Sequence, residues 1–108
     1  MTCEDTRITW EIQLHEPCSN VWISKAYGRA TTTAQPAQIA HAVLVGYLAT
    51  SPPSALDEYR ALARPDGGQA VFVTPRQLDT DTIPDAVTLR ALPAHLRPAE
   101  VQGGRPGR

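Results

Sequence analysis

The sequence predicts an α+β domain: a mainly antiparallel sheet of about four strands, with two helices packed on one of its faces, in the order β-β-α-α-β-β. Three observations lead there. Residues 7–15, RITWEIQLH, alternate apolar and polar side chains, the period of a half-buried strand. A turn-forming EPCSN and a second β-rich run, VWISKAYG, follow at once, which reads as a hairpin. The run from Thr31 to Ser51 then changes to helical spacing.

In the first strand Ile8, Trp10, Ile12 and Leu14 fall on one face, and Arg7, Thr9, Glu11, Gln13 and His15 on the other. Two hairpin registers make different molecules. A four-residue loop, Glu16 to Ser19, sets Leu14 against Val21, Ile12 against Ile23, Trp10 against Lys25 and Ile8 against Tyr27. Trp22 then points away from the core. A five-residue loop turns Trp22, Ser24, Ala26 and Gly28 inward instead. The first is preferred, because burying Val21 and Ile23 contributes roughly 1.5–3 kcal/mol each.

Pro36 fits the first turn of a helix capped by Thr33 or Gln35. Ile39, Ala40, Val43, Leu44, Tyr47 and Leu48 cover half of its wheel, and the other half holds almost no charge. A helix of that kind is expected to be covered on both sides. Ser51-Pro52-Pro53-Ser54 ends it, and Ser54 with Asp57 resembles a capping box. A second helix is therefore expected through Leu56, Tyr59, Leu62 and Ala63, ended by Arg64-Pro65-Asp66-Gly67-Gly68. Residues 69–74, QAVFVT, read as a third strand, and residues 86–92, AVTLRAL, as a fourth. Residues 1–92 form the expected domain, and residues 93–108 an expected flexible tail rich in Pro, Gly and Arg.

At 108 residues the chain has room for one modest core. No run is apolar enough for a membrane span or a secretory h-region, so a cytoplasmic protein is expected. The two cysteines, Cys3 and Cys18, do not make a disulfide scaffold. Nine of ten basic residues are Arg and alanine is abundant, which reads as the coding bias of a GC-rich bacterial genome.

The formal net charge is -1. Arg97, Arg105 and Arg108 against Glu100 give residues 97–108 a net +2 and leave residues 1–96 at -3. A body of that sign does not attract phosphate backbones over long range.

The chemistry-bearing residues are sparse. His15 and Cys18 have the spacing of half a zinc site but no second pair, and as a nucleophile and base they lack an oxyanion hole. Asp79, Asp81 and Asp85 lack the glycine and the closing glutamate of a calcium loop. Gly67-Gly68 precedes a strand and is a turn, not a phosphate cradle. No catalytic residue, metal or cofactor is expected. A pocket between sheet and helices, with Tyr47, Tyr59 and His41, would be the site of a small enzyme or ligand carrier.

The positive signal is aromatic. If Trp22 points outward and Phe72 joins it, the pair marks a contact surface for a protein partner or a second copy. Lys25, Tyr27 and Arg29 interleave basic and aromatic groups, and with the arginine tail they outline a weaker nucleic-acid reading. Trp22, Lys25, Tyr27, Arg29 and Phe72 are thus the candidate binding residues. The strand-to-helix passage from Tyr27 to Leu48 resembles in rhythm that of small antitoxin domains of the HicB type, though that family's Pro-Asp-Leu-Pro-Gly-like turn is missing. The resemblance implies a small regulatory partner protein.

Overall fold

A computed structural model describes residues 5–50, 57–78 and 86–96. The α+β class is as the sequence predicts: a four-stranded antiparallel sheet with its helices on one face. Strands β1 (Thr6–Glu16), β2 (Val21–Thr32), β3 (Tyr59–Pro65) and β4 (Val71–Val73) lie in the spatial order β2-β1-β3-β4. Helix α1 (Pro36–Thr50) packs on β1, β3 and β4, and the short helix α2 (Ala86–Ala91) packs on α1 and β2. Single-turn 3-10 segments follow β4 at Pro75–Gln77 and α2 at Ala94–Leu96.

Two elements differ from expectation. The segment read as a second helix through Tyr59, Leu62 and Ala63 is strand β3 in its described part, and the segment read as a fourth strand is helix α2. In β3 the side chains alternate. Tyr59, Ala61 and Ala63 are buried, whereas Arg60 and Leu62 are half-buried and Arg64 is exposed. Period two wins because β1 offers an unpaired edge for the whole segment, Ile8 to Leu14. In α2 the β-branched Val87 and Thr88 favour a strand locally. Packing overrides this: Thr88 and Leu92, four residues apart, are both buried. The third strand is shorter than expected, Val71 to Val73, and Pro75 opens the next turn.

The core lies between sheet and helices. Ile8, Trp10 and Ile12 from β1 and Ala61, Ala63 and Val73 from β3 and β4 meet Ile39, Val43 and Leu44 of α1. Pro36 is the first residue of α1, and the Gln38 side chain accepts the Gln35 N–H at 2.8 Å. The weakly polar side of α1 is covered only in part, by α2 and the Ala94–Leu96 turn, while Gln38 and Ala49 stay exposed. Contact there is close enough that any side chain at Gly46 would collide with the Leu96 carbonyl oxygen. Leu96 is buried, so the packed body runs past Leu92 into the segment expected to be tail. Residues 97–108 lie outside the described residues, as does the Ser54 cap.

The hairpin takes neither expected register. Its loop is Pro17 to Asn20, and His15 pairs with Trp22, Leu14 with Ile23 and Ile12 with Ala26. Asn20 takes a left-handed φ of 57°, which Asn tolerates better than most residues. A bulge between Ile12 and Gln13 leaves Lys25 unpaired on β2. Extra residues of this kind reverse the alternation of side chains. Before the bulge Trp22 shares the outward face with His15; after it Ala26, Gly28 and Ala30 line the core side, and Tyr27 and Arg29 point outward. Lys25 and Tyr27, placed inward by the preferred register, are therefore both exposed. Val21 and Ile23 share the sheet side of Leu14 but remain 49% and 44% exposed. The hairpin tip overhangs the helical layer, so the burial energy that favoured the first register is not collected. Gly28 has a packing reason. The Trp10 ring lies across it, and a Cβ there would be 2.6 Å from Trp10 Cζ2.

Candidate functional site: the open face of the sheet

The antiparallel pairings sort the outward side chains into rows across the sheet. Trp22 pairs with His15, and Ser24, Gln13 and Arg60 form the next row. Tyr27, Glu11, Leu62 and Phe72 make the third, and Arg29, Thr9 and Arg64 the fourth. Both described helices lie on the other side, so among the described residues nothing covers these rows.

Arg60 is the centre of the face. Its guanidinium carbon is 4.0 Å from the centre of the Trp22 ring and 4.5 Å from that of Phe72, within cation–π range of both. Arg60 Nε–H donates to Gln13 Oε1 at 2.6 Å, and Gln13 Nε2–H donates to Glu11 Oε1 at 3.2 Å. Partial burial pulls the Arg60 guanidinium below the ordinary arginine value, and the Glu11 carboxylate opposes that shift. Arginine remains charged at neutral pH.

His15 supports the far side of Trp22. The two ring centres are 5.0 Å apart and tilted by 47°. The ring nitrogens of His15 reach Asn20 Oδ1 at 2.8 Å and Glu58 Oε1 at 3.1 Å. Trp22 is therefore half-buried between an arginine and a histidine rather than free in solvent.

Of the candidate residues, Trp22 and Phe72 are brought together through Arg60. Tyr27 stands on the same face, 79% exposed, and Arg29 is exposed one row further along. Lys25 sits at the bulge. Gln13 stands on the outward face of the first strand, as its alternation predicts, but was not among the candidate binding residues. Arg60 and Arg64, which complete the face, escaped the sequence reading; their signal was the alternation in YRALARP, with Pro65 as its stop.

Elsewhere, Tyr59 is 8% exposed and packs on Tyr47 with ring centres 5.7 Å apart, so its ring belongs to the core. Half-buried His41 lies on α1. Cys18 is an exposed free thiol. Among the described residues no three His, Cys, Asp or Glu side chains gather as a metal site, and no helix is long and apolar enough to cross a membrane. Asp79, Asp81 and Asp85 lie outside the described residues. No protein-family model, curated protein or solved structure matches the chain.

Proposed function

We propose that this chain is a non-catalytic protein-interaction module whose contact surface is the open face of the sheet. The observation that carries the reading is Arg60, held by Gln13 against both Trp22 and Phe72. Interface energies concentrate in Trp, Tyr and Arg, the residue types gathered here. Side chains already fixed in place lose less entropy on binding, and Trp22 and Arg60 fix each other. The partner is another protein or a second copy of the chain. A reducing cytoplasm is the proposed compartment and fits the free Cys18 thiol.

A second reading is a weak nucleic-acid binder. It draws on the arginines of the face, on Lys25 at its rim and on the freely exposed ring of Tyr27.

Native mass spectrometry of the chain isolated from its own cells separates the two. A complex containing a second protein chain, or a dimer, is expected. Co-isolated nucleic acid would overturn the protein reading in favour of the second, and a bare monomer would contradict both.

A further inference from the structure

Resting on that interaction reading, we propose that the occupant of the open face is a different, acidic protein and not a second copy of the chain. The outward positions carry Arg7, Arg29, Arg60 and Arg64; among the described residues their carboxylates are Glu11 in the third row and, at the two ends of the face, Glu58 against His15 and Asp66 against Arg7. Arg7, at the sheet's end, is 3.7 Å from Asp66. Arg29 and Arg64 form no ion pair among the described residues. They flank Thr9 from both sides, about 10 Å apart at two strand spacings.

That pattern disfavours self-association. Two copies laid face to face with their rows in register would set arginines against arginines, and like charges in contact suppress a pairing. A partner of opposite sign satisfies it. Carboxylates at the separation of Arg29 and Arg64 each gain a fork of N–H donors. An apolar side chain beside them lands on the adjacent row, where Leu62 is half-buried and Phe72 is 46% exposed. Protein is favoured over single-stranded nucleic acid by Trp22. Arg60 and His15 already lie against its ring, which leaves little ring face for a base to stack on.

The test titrates the full ¹⁵N-labelled chain with three probes: a short peptide of Glu residues around Leu and Phe, its Lys-for-Glu counterpart, and a short oligothymidylate. Sedimentation at low salt reports the oligomeric state. Saturable shifts from the acidic peptide are expected at Arg29, Arg60, Arg64 and Phe72, with no such response to the Lys peptide and weaker binding of the oligonucleotide. Arg60→Ala is expected to weaken the peptide about tenfold. Arg64→Glu, at an exposed position, gives a second reading if the first variant fails to fold. A dimer abolished by Trp22→Ala would overturn the acidic partner and leave the interaction role standing. Tighter binding of the oligonucleotide at these positions would overturn both in favour of nucleic acid. Shifts confined to the helical layer, or none, without a dimer would overturn both outright.

Discussion

Arg60 and Trp22 meet across the sheet, with the guanidinium carbon 4.0 Å from the ring centre. The two residues belong to β3 and β2, with β1 between them, and neither position is needed to fill the core. A polar contact of this kind on an uncovered face holds that face in one shape.

The contact depends on a flat cation. Lysine keeps the charge but loses the planar stack and the Nε donor to Gln13. Arg60→Lys is therefore expected to weaken partner binding nearly as much as Arg60→Ala, while folding stability falls by only about 1 kcal/mol in either variant. Titration calorimetry with the isolated partner, together with urea unfolding, checks both halves.

Gly46 reverses a familiar sign. Within an exposed helix, Gly→Ala stabilises by roughly 1 kcal/mol. Here the Leu96 carbonyl occupies the place a methyl group would take. Gly46→Ala is expected to destabilise by about 1–3 kcal/mol, read as a lower urea midpoint. A stabilised variant would show that the Ala94–Leu96 turn does not press on α1.

The strand pattern of β1 was legible because it keeps one period from end to end, and helix α1 because Pro36 opens a long, nearly uncharged and mostly apolar run that Ser51-Pro52 closes. What was not legible was decided by neighbours. YRALARP is short and rich in good helix formers, and only the free edge of β1 makes it a strand. AVTLRAL carries β-branched residues, and only the burial of Thr88 and Leu92 makes it a helix. The outward direction of Trp22 was anticipated, but the Lys25 bulge that combines outward Trp22 with inward Ala26 was not. Bulges leave no mark in a hydrophobic pattern beyond a slip in its phase. Arg60 followed β3 out of view, and with it the centre of the candidate site.

Deleting Lys25 tests the bulge directly. Without the extra residue, β2 keeps one alternation, and either Trp22 or Ala26 must change face. Trp22 carries the lower cost, since the hairpin tip overhangs the helical layer. Acrylamide quenching of Trp22 in a Trp10→Phe background is expected to change on deletion, and the contact with Arg60 to be lost. Unchanged quenching would place the register shift elsewhere.

Tyr59 supplies a pH prediction. Burial, reinforced by Tyr47 and Asp57, raises its hydroxyl above the ordinary tyrosine value. The unfolded chain ionises near pH 10, whereas the folded chain holds the proton to higher pH. The unfolded state then binds fewer protons, so stability is expected to fall as pH rises through the window above about 10. Tyr59→Phe should flatten that fall, measured as the urea midpoint against pH.

The most direct measurement is a comparison of complexes isolated from the chain's own cells, using the unaltered chain, Trp22→Ala, and a control altered on the exposed side of α1, Gln38→Ala. All three are first confirmed folded by circular dichroism, and partner retention is read by native mass spectrometry. The partner should stay with the unaltered chain and the Gln38 control and be lost from Trp22→Ala. A partner retained equally by all three, or lost only from the Gln38 control, would contradict the open sheet face as the contact surface.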